Sequence, residues 1–353
     1  RRVLFRSIMI NIMKKRWVLA ATAAVLIFTG CGPQKINVPY LVPAKVAEMK
    51  DSKVVAVTKL KDDKIGLSQK IEANLTNYKI KNKKYFTVVN RSSLDKAIAE
   101  EGLQASDIID NQTATAVGKK VGANTLIVGI VSSMKSETST TNHERTYCLQ
   151  YYKSGGCAQY KTEHYSCDHL RTNLGGTLNV IDIKSGLNIH AENISEEYSG
   201  NSCKNRLLSK DQSFERLANS AANDFTYKLS PQSKNLWITL IEEINSVKEV
   251  SKMDKQLFEN SLKYIENGRI EKANVILRRL NQTFNGQSFE VLYNLAITEQ
   301  SLGNLEKAKS LLKQSDEVNL GEPNKALDQA IVNIDEIIKL NKKANQQLAD
   351  NRR

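Results

Sequence analysis

The residues between Lys53 and Ser132 leave a chain of this kind few folds to choose from. Two apolar runs bound the stretch, Val54-Val55-Ala56-Val57 and Leu126-Ile127-Val128-Gly129-Ile130-Val131. Both are rich in β-branched residues and short, which predicts buried strands. A third strand is predicted over Tyr85-Phe86-Thr87-Val88-Val89, and helical segments fill the intervals. The order is therefore strand, helix, strand, helix, helix, strand. Leu67, Ile71, Leu75 and Tyr78 share one helical face, with Ser68 or Asp63 as the cap. Ser92 with Asp95 three residues on resembles a capping box, and Gly102 sits where that helix stops. Arg91 reads as a structural residue whose planar donors hold the strand-to-helix corner, a functional role being the alternative.

Two phrases in this block carry a resemblance. Val88, Val89, Arg91, Leu94 and Glu100 fit a turn pattern, and Gly118, Gly122, Ala123, Ile127, Val128 and Gly129 fit a helix-to-strand joint with one extra residue after Ala123. "LNVIDIKSGLNI" at 178–189 supplies a matching hairpin. Together they resemble the CsgG-like family, the curli assembly lipoproteins and their relatives, over about residues 53–230. The resemblance implies an α+β (or α/β) sheet-and-helix fold and an envelope compartment.

The N-terminus agrees with that compartment. Arg1 to Ser7 resembles a translated sequencing adapter, and Met13 reads as the start. Lys14-Lys15-Arg16, an apolar run from Trp17 to Phe28, and Thr29-Gly30-Cys31 make a secretory signal. Cys31 resembles the acylated cysteine of a bacterial lipobox, with Phe28 where Leu is usual; an incidental cysteine after an ordinary signal is the alternative. Acyl chains would anchor the protein without a membrane helix. Gly32 in place of Asp favours the outer membrane, facing the periplasm. Residues 1–30, a scar plus signal peptide, hold six cationic residues and no acid, so the net charge of +13 falls by six to +7 in the mature chain. That charge suits an anionic envelope surface or solubility, and no nucleic-acid partner is expected. The stretch 31–52 holds three of the five prolines and reads as a lipidated tether.

Beyond Ser132 the chain turns polar over 134–173 and carries Cys148, Cys157 and Cys167; a second polar insertion carries Cys203. Strands resume over 176–183 and 187–198, and Phe214, Leu217, Ala221, Phe225 and Leu229 space out a helix ending at Pro231. With Cys31 acylated, four cysteines remain, and an exported chain favours two disulfides in any of three pairings. Zinc on these thiolates with His143, His164 and His169 is the alternative, although no C-x-x-C pair occurs.

Residues 231–353 read as an all-α, tetratricopeptide-like domain. "NGRIEKANVILRRL" from Asn267 recurs as "LGNLEKAKSLLKQS" from Leu302, displaced by 35 residues. Helices over 235–252 and 324–348 are expected to complete or cap the repeat, a generic helical bundle being the alternative. In this geometry Phe258, Leu262, Ile265, Tyr293, Ile297 and Gln300 line a concave face that binds partners, or else they bury.

No phosphate loop, nucleophile elbow or paired-histidine helix occurs, so no catalysis, metal or cofactor is expected. The leading expectation is a noncatalytic outer-membrane lipoprotein acting as a scaffold or assembly factor, binding envelope proteins through its helical repeat, with self-association open. A curli-type oligomeric secretion channel, an activator of peptidoglycan synthesis and an enzyme or metalloprotein on the cysteine cluster are the alternatives. Alternate residues over 137–151 put Glu137, His143 and Arg145 on one face and Glu144 on the other, so neither face suits hydrocarbon and no pore is expected.

Overall fold

The computed structural model describes residues 33–104, 111–204 and 206–349. The expectations for the signal segment and for Cys31 lie outside these residues. The described strands are β1 (Lys35–Val42), β2 (Val54–Val57), β3 (Lys79–Ile80), β4 (Lys83–Lys84), β5 (Thr87–Val88), β6 (Thr125–Tyr151), β7 (Cys157–Asp182), β8 (Asn188–Asn201) and β9 (Gln232–Thr239). The helices are α1 (Leu67–Asn77), α2 (Arg91–Glu100), α3 (Asn111–Lys120), α4 (Lys210–Leu229), α5 (Lys252–Glu266), α6 (Ile270–Thr283), α7 (Phe289–Ser301), α8 (Leu305–Val318) and α9 (Lys325–Leu348). They fall into two compact units, one of residues 39–236 with 332–349, the other of 33–38 with 237–331.

The first unit is built on a mixed sheet of order β5-β2-β6-β7-β8. β2 runs parallel to β5 and β6, while β6, β7 and β8 are antiparallel neighbours. Successive side chains of a strand face opposite ways. Val55, Val57, Ile127, Leu178 and Val180 therefore pack on one face with Leu67, Ile71 and Leu75 of α1 and Phe214, Leu217 and Phe225 of α4. Ala56, Leu126, Val128 and Ile181 pack on the other with Leu94 and Ile98 of α2 and Ala114 and Val117 of α3. Each large aliphatic side chain so buried contributes about 1.5–3 kcal/mol. Covering both faces is why these runs are continuously apolar.

The corners follow local chemistry. Asp63 caps α1, its carboxylate accepting from Leu67 N at 2.9 Å and from both N and Oγ of Ser68 at 2.8 Å. Asn90 rather than Ser92 caps α2, since Asn90 Oδ1 accepts from Ser92 N (2.8 Å) and Oγ (2.6 Å). Arg91 donates through Nε (2.8 Å) and Nη2 (2.5 Å) to Glu72 Oε2, tying the corner to α1. Gly118 admits Ile183, whose Cδ1 would lie 2.3 Å from any added Cβ.

Three expectations are corrected. From Lys35 the tether is replaced by β1 and a 3₁₀ turn at Ala47–Lys50, with Ile36, Val38, Leu41, Val46 and Met49 buried. β1 and β9 form a two-stranded sheet in which each strand is an edge, so Pro39 is tolerated. Residues 232–239 are strand β9 and no helix occupies 240–251, so the stretch after Pro231 is not all-helical. The polar stretch 134–173 continues β6 and β7 rather than forming a separate insertion.

In the second unit the repeat is visible as geometry. α5 and α7 end at Glu266 and Ser301, α6 and α8 begin at Ile270 and Leu305 and end at Thr283 and Val318, each displaced by 35 residues. Gly268 and Gly303 adopt positive φ after the first helix of each pair. Ser261, Ala296, Ala273 and Ala308 are fully buried, the small residues that let paired helices approach.

Candidate functional site

β6 and β7 pair from Thr125↔Asp182 out to Tyr151↔Cys157. At about 3.3 Å per residue the 27 residues of β6 extend roughly 90 Å. β8 covers β7 only as far as His169↔Asn201, so 140–151 with 157–168 project as a two-stranded arm. A bare two-stranded ribbon is marginal in water.

Cross-strand side chains support this one. Thr146 and Thr162 hydroxyls meet at 2.9 Å, Ser166 Oγ donates to Asn142 Oδ1 at 2.9 Å, and Thr140 Oγ1 donates to Asp168 Oδ1 at 2.8 Å. Lys161 Nζ and Tyr147 OH both reach Glu163 Oε1, at 2.7 and 2.6 Å, and lower the pKa of its carboxyl. His143 stacks on Tyr165 with ring centroids 5.6 Å apart, His164 lies 3.2 Å from Glu144, and His169 Nε2 is 2.9 Å from Thr141 Oγ1.

Two disulfides pin the arm. Cys148 pairs with Cys157 beside the tip, and Cys167 pairs with Cys203 just past β8. The sulfurs bond one another, so none is a thiolate for zinc. The histidines of the proposed metal set belong instead to the cross-strand ladder.

The distal arm is exposed on both faces. Leu149, Tyr151, Tyr152, Tyr160 and Tyr165 stand in water, Tyr151 and Tyr160 at 69 % and 66 % exposure. This gathers aromatic rings on a narrow support, a composition suited to protein contacts. Tyr151 and Tyr152 are neighbours in the sequence. The hairpin register sets Tyr160 opposite Cys148, near the tip, and Tyr165 opposite His143, further down the arm.

The expected helical surface is corrected. Phe258, Leu262, Ile265, Tyr293, Ile297 and Gln300 are all buried, and none lines an open face. α7 is buried all round, from Glu290 to Gln300. Tyr293 OH donates to Thr239 O at 2.7 Å, and burial pushes its phenol well up. Asn294 bonds both N and O of Ile241, and Glu290 accepts from Asn245 N, Ser246 N, Ser246 Oγ and Ser288 Oγ. The segment after β9 thus occupies the side where a groove was expected. Among the described residues, no helix is long and apolar enough to cross a membrane.

No curated protein matches this chain. Among solved structures, the NMR structure of Escherichia coli LpoB is 14% identical at a TM-score of 0.26, over 49% of this chain and 75% of that one. The LpoB C-terminal domain from Salmonella enterica is 13% identical at 0.20, over 44% and 95%. Residues 47–187, which run from the 3₁₀ turn through β7 and take in the whole β6–β7 ribbon, are matched by the family model described as the curli production assembly/transport component CsgG.

Proposed function

We propose that this chain is a noncatalytic outer-membrane lipoprotein, anchored through Cys31 and facing the periplasm, that acts as a scaffold or assembly factor in envelope biogenesis or secretion. The observation that carries the reading is the disulfide-pinned ribbon with its exposed tyrosines, which offers a partner aromatic rings on a braced support. The family description supplies the envelope setting. It names transport as well as assembly, and the ribbon of this chain favours assembly. Glu137 and Arg145 on one face and Glu144 on the other leave no continuous apolar band for lipid.

Placing a photo-crosslinking residue at Tyr152 or Tyr160 in the full chain, in cells, tests this. Discrete protein adducts are expected at both positions and not at Val275, which is exposed on α6. Adducts no stronger on the ribbon than at Val275 would sink the reading. In the same cells Cys31→Ser is expected to be exported yet to leave the membrane fraction.

A further inference from the structure

Away from the ribbon, the first unit carries a cleft of about 290 Å³ whose polar lining is Lys53, Lys81, Lys83, Lys84, Tyr85 and Asn345, with no carboxylate among its walls. A hairpin presents the lysines. β3 and β4 pair through Ile80↔Lys83, which leaves Lys81 and Asn82 as a two-residue turn with φ of 50° and 62°. Such a turn favours Asn or Gly at its first position, so Lys81 is held there against its backbone preference. Ile80 is buried in the core and anchors the hairpin, while Lys79, Lys81, Lys83 and Lys84 are exposed.

Two of these ammonium groups lie against the segment 345–349. Lys53 Nζ lies 5.3 Å from the Tyr85 ring centre and donates to Ala349 O at 3.0 Å, and Lys81 Nζ donates to Asn345 Oδ1 at 3.2 Å. Among the described residues no carboxylate forms an ion pair with Lys79, Lys81, Lys83 or Lys84. An adjoining cleft of about 700 Å³ shares Lys53, Lys84 and Tyr85 and adds Lys50 beside Asp51. Like charges lining one cleft repel, and an anion among them relieves that repulsion. Ammonium groups on flexible stems suit a compact multivalent oxyanion, since each offers rotatable donors without demanding a planar fork.

We infer that this cleft binds a phosphate-bearing anion. The ligand is either a free phosphate compound or the headgroup of an anionic lipid, and the two share the chemistry the lysines select.

The test uses the full mature chain carrying Cys31→Ser, so that no acyl chain contributes. One arm titrates inorganic pyrophosphate by calorimetry. The other measures sedimentation with vesicles of phosphatidylglycerol and phosphatidylcholine, against phosphatidylcholine alone. Lys81→Gln/Lys83→Gln/Lys84→Gln is expected to weaken binding about tenfold or more. Lys252→Gln/Lys272→Gln/Lys313→Gln, which removes the same charge from the second unit, is expected to leave it near the native value. Pyrophosphate binding lost in the first variant supports a free phosphate compound, and loss confined to the vesicles supports a lipid headgroup. Equal loss in both variants would reduce the effect to net charge and overturn the inference, as would no binding in either arm.

Discussion

Glu299 sits on α7 with its side chain fully buried, where a carboxylate survives only with partners. Arg278 of α6 and Lys307 of α8 reach its Oε1 at 2.5 and 2.8 Å, and Asn304 Nδ2 donates to its Oε2 at 2.8 Å. Burial alone raises this carboxyl, but the hydrogen bonds from Lys307, Asn304 and Arg278 win and hold it at about 2. A folded pKa below the unfolded value of 4.5 stabilises the fold above pH 4.5, and that stabilisation disappears as the pH falls towards 2. The difference corresponds to about 3 kcal/mol. Glu299→Gln is expected to lower stability at pH 7 and to flatten its pH dependence in that window. Urea unfolding of both proteins from pH 7 down to pH 2 measures it, and parallel curves would refute the role. The repeat alignment gives no hint of this site, because the residue 35 positions earlier is Tyr264. The motif residues differ in this respect. Gly118 and Arg91 are legible in the sequence because their roles are local, a close helix–strand approach and a corner next to α1.

Elements were legible where one face was apolar and illegible where none was. α1, α4, α5, α6 and α8 follow the helical spacing of their buried residues, and the sheet strands follow their β-branched runs. The ribbon has no apolar face at its distal end, so alternation carries no signal there. Its strand character comes from Thr and Tyr pairing across the hairpin, which depends on register. Pro39 hides β1, and burial all round leaves α7 no polar stripe to contradict a groove. The ribbon also supports a prediction. Cys148→Ser/Cys157→Ser removes the covalent tie at the tip while Cys167–Cys203 still holds the base. Hydrogen exchange of the amides of 142–162 should accelerate by about tenfold or more, while β2 and residues 125–131 of β6 keep their protection. Unchanged exchange at the tip would mean that the cross-strand ladder alone holds the arm.

At the scale of the whole molecule, the two units do not correspond to two consecutive stretches of sequence. A boundary expected near residue 230 would divide the chain once, whereas the sheet-bearing unit takes residues 39–236 and then recovers 332–349. Composition does not show this, because α9 is one uninterrupted helix whose residues up to 331 belong to one unit and the rest to the other. The returning segment does structural work in the sheet-bearing unit. Ala344 is fully buried in its core, with Leu348 packed against it. Gln347 Oε1 accepts from Ala44 N at 2.7 Å, in a buried setting where losing the acceptor would leave that N–H unpaired. A chain ending at Ile331 therefore loses apolar contacts and strands a buried donor, at a cost of about 3–5 kcal/mol to that unit. The expected result is a lower melting temperature for the sheet-bearing unit and fast hydrogen exchange over 43–50, while α5 to α8 keep their protection. If the shortened chain instead protected 43–50 as the full chain does, residues 332–349 would be a dispensable extension. The sheet-bearing unit would then be complete by Leu236.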